Sequence, residues 1–270
     1  MDGTCQENVC VLGPDSRVGV DIASIEEAVS RSECVTISLP SGTFEISDIP
    51  INRTVRILGK GSTPTILDAN FESRHFTIED GEYLHIEHVV LRNGSADIGG
   101  SILGKSNAEI NILDSEIVNN RASHEGGAIA FPSGGTIDIE NSLIENNKVE
   151  SIGAHAIKGG AISITNGDLS IDNTRFTNNG LQSHISEGST IPASERTNRG
   201  GAVYSRSTGS LVKIDISYTE FDSNWITQTN ETSIGTDNFG AAIYAERADT
   251  NIAFSNFIGN SIHLDSSCMS

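Results

Sequence analysis

Residues 126–147 read GGAIAFPSGGTIDIENSLIENN, and this stretch holds both elements from which most of the chain is built. Its second half carries Ile139, Ile144 five residues on, and Asn147 three further. The same spacing recurs without slippage as Ile86/Leu91/Gly94, Ile112/Ile117/Asn120, Ile171/Phe176/Asn179, Ile216/Phe221/Asn224 and Ile252/Phe257/Asn260. Its opening glycine pair recurs as Gly99-Gly100, Gly159-Gly160, Gly200-Gly201 and, varied, Gly240-Ala241. From the first glycine of each pair to the closing Asn the count is 21, 21, 20, 24 and 20 residues, whereas the interval from that closing residue to the next pair is 5, 6, 12, 21 and 16. A fixed repeat with one elastic interval per copy is the signature of a solenoid, whose coils bury their apolar side only by stacking on each other.

Within each copy apolar residues alternate before a corner, as in Ile110/Ile112, Ile137/Ile139 and Leu169/Ile171, which predicts short strands with one face inward. Polar turn formers follow at Asp114-Ser115, Asn141-Ser142 and Asn173-Thr174, where side chains bond local backbone. The closing Asn120, Asn147, Asn179, Asn224 and Asn260 are expected to stack as a hydrogen-bonded ladder. Their exchange with Gly94 points to the left-handed backbone region. Three short strands per coil describe an all-β parallel β-helix of about eight coils. Residues 1–34 read as an N-terminal cap, 35–265 as the β-helix and 266–270 as a tail. Long loops are expected at 148–158, 180–199 and 225–239, all at one point of the turn.

In the cap, Ser24-Ile25-Glu26-Glu27 has the capping-box order, and Ile25, Ala28 and Val29 share one face, so a helix over 24–31 is predicted to cover the first coil. Phe254, Phe257 and Ile262 at the other end have no such lid. Cysteines occur only at positions 5, 10, 34 and 268. One disulfide within the cap is expected, with Cys268 unpaired or intermolecular. The net charge of -19 repels phosphate and disfavours nucleic acid and anionic membrane as partners, so neither nucleic acid binding nor direct membrane insertion is expected. No run approaches a membrane helix, and no basic-then-apolar signal segment opens the chain, so it reads as an excised or mature ectodomain with an added Met1, or as a protein retained in the cell.

Gly-Gly-Ala-[Ile/Val], as at Gly126 to Ile129, Gly159 to Ile162 and Gly200 to Val203, alternating with Phe176/Asn179, Phe221/Asn224 and Phe257/Asn260, resembles the repeat of the chlamydial polymorphic outer-membrane proteins. That repeat belongs to the pectin-lyase-like β-helix superfamily, whose helix-and-first-coil opening the stretch Ser24 to Gly59 resembles. The resemblance implies a right-handed helix, an extracellular or cell-surface setting, and adhesion as the role. Residues 1–270 themselves include neither a signal segment nor an autotransporter barrel, and there this sequence departs from that family's pattern.

Chemistry on such a rod would sit on outward strand positions. Glu140 and Asp172 fall at equivalent places on successive coils with Asp138 close by, a separation suited to a retaining glycosidase or to a Ca2+ site. No Arg or Lys base and no aromatic platform accompanies them, so a solvated acidic face is the default, with no metal or cofactor assigned beyond Ca2+. Arg74-His75 with Asp68 and Asp80 reads as a turn with exposed charges. His155 and His184 lack metal-ligand spacing. They sit with Trp225 and Asn230 on the flank of long loops, where repeat proteins place binding faces. The chain is therefore expected to be a non-enzymatic adhesion or recognition module for a cell-surface receptor, a glycan or neighbouring domains of a longer chain. The alternatives are a polysaccharide lyase or hydrolase using Glu140, Asp172 and Asp138, and a structural spacer.

Overall fold

The structure, a computed structural model, describes residues 9–12, 24–152, 156–185, 197–230 and 237–266. They form an all-β parallel solenoid. Eight strands of one broad sheet open successive coils: Thr36–Leu39, Val55–Gly59, Tyr83–Glu87, Ala108–Leu113, Gly135–Glu140, Gly167–Asp172, Val212–Ser217 and Ala248–Ala253. Val9–Val11 adds a ninth strand at the N-terminal edge. From Ala108–Leu113 the chain turns through Asp114 into Glu116–Val118 of a narrow sheet, passes Asn119 into Arg121–Glu125 of a flank sheet, and returns through Gly126 into Ile129–Phe131 of a fourth sheet.

The repeat fixes the register. Ile86, Ile112, Ile139, Ile171, Ile216 and Ile252 are successive partners in the broad sheet. Leu91, Ile117, Ile144, Phe176, Phe221 and Phe257 stack likewise in the narrow sheet. Like therefore sits on like along the interior, and one continuous core runs from Cys10 to Ala242. Burying each Ile contributes about 1.5–3 kcal/mol, which the lone coil cannot gain because its neighbours supply the partner surface.

The cap forms as the capping box predicts. The helix spans Ile25–Ser30, the Ser24 hydroxyl accepts from the Glu27 N–H at 3.1 Å, and Ile25, Ala28 and Val29 are buried. Its C-terminal end is held by a residue from the first coil. Arg53 donates to the carbonyls of Ala28, Val29, Arg31 and Cys34 at 3.3, 3.0, 2.7 and 2.9 Å, so a cation meets the negative end of the helix. A disulfide joins Cys10 to Cys34; Cys5 and Cys268 lie outside the described residues.

Two polar ladders run along the corners. Asn147 Oδ1 accepts from both the N–H and the Nδ2 of Asn120, at 3.0 and 2.9 Å, and Asn147 Nδ2 donates onward to Asn179 Oδ1 and back to the Ile117 carbonyl. The pattern continues through Asn224 to Asn260, and Gly94 donates into its start. The left-handed residue is the one before each ladder Asn: Asn93, Asn119, Asn146, Asn178, Ser223 and Gly259 have φ between 53° and 61°. The ladder residue itself faces inward. At the other corner the Ser115, Ser142, Thr174, Thr219 and Ser255 hydroxyls each donate to the carbonyl two residues back. Each also accepts the backbone N–H of the preceding coil.

The described parts of the expected loops are extended. Lys148–Ile152, Gly180–Ile185, Trp225–Asn230 and Ser261–Ser266 leave the coils as stacked strands, and Ile157–Lys158, Thr197–Arg199 and Asp237–Phe239 return beside them. Together they make a fin. Its interior starts apolar, with Ala122, Val149, Leu181, Ile226 and Ile157, and then becomes polar, with Ser151, Ser183, Gln228 and Asn198 all buried. Asn198 Nδ2 reaches Ser183 Oγ at 2.9 Å and Asn238 Oδ1 at 2.8 Å, while Asn238 Nδ2 donates to Gln228 Oε1 at 3.0 Å. These amides close the fin because buried polar groups must find partners.

Candidate functional site

Strand alternation sends every second fin residue outward. In register, one outer row is Glu150, Gln182, Thr227 and His263, and the next runs through Ile152, His184 and Thr229. Ile152 is 83% exposed, so an aliphatic side chain stands in water on an ordered strand. A groove of about 590 Å³ lies where the fin leaves the coils, lined among others by Arg74, Ser95, Arg121, Ser123, Glu150 and Ile152. Arg121 crosses it, with its guanidinium 4.8 Å from the Phe71 ring centroid and Nε donating to Ser95 Oγ at 3.1 Å.

The fin gathers most of the residues singled out on the flank. His184 is on its outer face beside Ile152, and Asn230 ends the strand after Trp225; His155 lies outside the described residues. Trp225 is partly buried rather than presented. Its Nε1 donates to Asn178 Oδ1 at 3.2 Å, and a Cβ added at Gly180 would come within 2.2 Å of its indole. It packs the foot of the fin.

On the broad sheet Glu140 pairs in register with Asp172, and Asp138 with Ser170. Asp172 Oδ1 accepts from the Ser217 hydroxyl, and Asp138 Oδ2 accepts from Asn111 Nδ2 at 3.0 Å. The three carboxylates therefore share one outward face, and each of these partners is an uncharged side chain. Among the described residues no group of three or more His, Cys, Asp and Glu is placed to hold a metal ion.

Of the polar cluster of the second coil, Asp80 is an exposed turn residue, as expected, but His75 and Asp68 are buried. His75 is fully buried, with Nε2 at 3.1 and 3.0 Å from the Leu67 and Arg92 carbonyls and Nδ1 at 2.9 Å from Ser101 Oγ. Burial pushes its pKa down to about 4, since a charged imidazolium there would lose its hydration. Asp68 is buried beside it, accepting from Arg92 Nε at 2.7 Å and from Asn93 Nδ2 at 3.0 Å. His75 occupies the coil position that Ser101 and then Ala128 fill in the following coils, so the cluster is structural. No helix among the described residues is long and apolar enough to cross a membrane. No known family model matches the chain, and neither a curated protein sequence nor a solved structure does.

Proposed function

We propose that the chain is a non-enzymatic recognition module of the extracellular space or cell surface, akin in role to the polymorphic outer-membrane protein repeats its sequence resembles, and that the fin is its partner-binding flank. The observation that carries this reading is the fin itself. Four outgoing strands hold rows of hydrogen-bonding side chains around an exposed aliphatic residue on one rigid surface, a composition that suits a protein or glycan partner. The Cys10–Cys34 bond favours an oxidising compartment.

The test is a screen of immobilised glycans and cell surfaces, with and without Ca2+, on the wild type and on the pair Ile152→Asp and Thr227→Asp. Binding lost in both variants with unchanged melting supports the reading, whereas binding insensitive to both moves the site off the fin. Sugar ends are assayed in the same samples. Product that disappears in Glu140→Ala or Asp172→Ala replaces this reading with that of a polysaccharide-cleaving enzyme.

A further inference from the structure

At the corner between the broad and narrow sheets one residue per coil adopts the left-handed backbone conformation. In successive coils it is His88, Asp114, Asn141, Asn173, Tyr218 and Phe254, with φ of 55°, 47°, 51°, 43°, 49° and 51°; His, like Asn and Asp, is enriched in this region. Asp and Asn tolerate this region; an aromatic side chain does so only against strain. Phe71, also left-handed at φ 60°, lies under the Arg121 guanidinium, and inside the core aromatics stack for burial, as Phe176 does on Phe221 at 4.9 Å. Tyr218 and Phe254 have no such gain. Their rings stack 5.0 Å apart with planes 10° from parallel, yet they are 60% and 78% exposed. Phe254 stands on the last described coil, but Tyr218 is one coil in and covered by it on one side, and is still 60% exposed. Backbone strain kept without burial points to function.

The pair adjoins an open groove of about 820 Å³ that runs along the same corner past Asp114, Asn141, Asn173, Arg175 and Tyr218. Asn173 Nδ2 donates to Asn141 Oδ1 at 2.7 Å, so the amides form an ordered row. The groove's cation is engaged: Arg175 Nε is 2.8 Å from Glu220 Oε1, and its Nη2 is 3.1 Å from Asp222 Oδ2. Amides donate to and accept from hydroxyl groups and carboxylates accept from them, aromatic surface covers apolar C–H faces, and a groove with its cation already neutralised repels anionic sugars.

We propose that this corner groove is a binding site for a neutral polysaccharide chain lying along the solenoid axis, with Tyr218 and Phe254 as its aromatic platform and Asn141 and Asn173 meeting its hydroxyls. This rests on the reading of the chain as a recognition module but uses a surface separate from the fin. The experiment is affinity electrophoresis of the full chain in gels containing hydroxyethylcellulose, laminarin, galactomannan or, as the anionic control, polygalacturonate. The variants are Tyr218→Asn and Phe254→Asn, singly and together, because Asn already occupies this position in two coils. Retardation by at least one neutral polymer, weakened at least tenfold in the double variant with a melting temperature equal to or above that of the wild type, is expected, as is free migration through polygalacturonate. Retention of wild-type affinity in the double variant, or preferential binding of polygalacturonate, overturns the proposal. A lowered melting temperature in the variants also overturns it, by making the pair a packing element. Free migration through all four polymers while fin-dependent surface binding persists overturns the groove and leaves the recognition reading intact; loss of both overturns both.

Discussion

A single ladder residue serves three coils. Asn147 accepts two hydrogen bonds from Asn120 and donates to Asn179 and Ile117, so Asn147→Ala removes the acceptor of the Asn120 N–H and Nδ2 and the side-chain donor of the Ile117 carbonyl, and leaves Asn179 Oδ1 with only the backbone N–H of residue 147. At about 1–3 kcal/mol for each orphaned group, the loss is expected to be about 3–5 kcal/mol by denaturant unfolding. Asn260→Ala, at the partly exposed end of the ladder, should cost about 1 kcal/mol; equal losses at the two sites would show that the ladder is not cooperative. His75 gives a second test. Its folded pKa near 4 lies below the unfolded value of about 6.5, so the unfolded chain binds the proton first as pH falls. The stabilisation is complete above about pH 6.5 and lost progressively down to about pH 4. Between pH 6.5 and 5 the wild type should lose about 1.5 kcal/mol more of its unfolding free energy than His75→Gln does over the same range. The sequence reveals the ladder residues because their period is unbroken. It does not reveal which of Asn119 and Asn120, or Asn146 and Asn147, turns the corner, because the two adjacent amides differ only in φ. The burial of His75 is equally hidden, since its partners are the Leu67 carbonyl of its own coil and the Arg92 carbonyl and Ser101 hydroxyl of the next.

At the scale of the element, the glycine pairs and the fin show opposite degrees of legibility. The pairs stand out in the sequence, and the structure gives their second member a steric reason. A Cβ at Gly160 would lie 2.0 Å from the Gly201 carbonyl oxygen and 2.6 Å from the Gly180 nitrogen, and one at Gly127 would lie 2.1 Å from the Gly160 oxygen. Backbone cannot yield there as a flexible side chain would. Gly160→Ala is therefore expected to cost at least about 3 kcal/mol or to prevent folding, while Gly209→Ala, with open space around the new methyl, should stay within about 0.5 kcal/mol. Thermal unfolding of the two variants side by side decides this, and a tolerated Gly160→Ala would mean that the coils can part. Ala241 replaces the second glycine only in the seventh coil, where no further glycine-pair turn lies over it. The fin, in contrast, carries one apolar inward residue per outgoing strand, Val149, Leu181 or Ile226, followed by an inward Ser or Gln. Period-two hydrophobicity is thus lost after one step, and the segments read as polar loops although amide pairing orders their interior.

Over the whole molecule, apolar stacking must outweigh the self-repulsion of a rod whose 36 acids face 17 bases. Ion pairs do not offset this excess: Arg175 with Glu220, Lys105 with Glu79 and Lys148 with Glu150 all lie near the surface, where each contributes only about 0–1 kcal/mol. Several coils carry carboxylates on the same outward face, as with Glu140 beside Asp172, at the spacing of adjacent parallel strands, about 4.8 Å. That distance is shorter than the Debye length of about 10 Å at 0.1 M salt, so like charges on neighbouring coils repel at low ionic strength and are progressively screened above it. Salt also screens the ion pairs, but the unpaired excess of negative charge is the larger quantity. The melting temperature at pH 7 should therefore rise steeply with NaCl up to about 0.1 M and flatten beyond. A flat or falling profile would mean that the surface ion pairs, rather than the excess of acids, govern the stability of the rod.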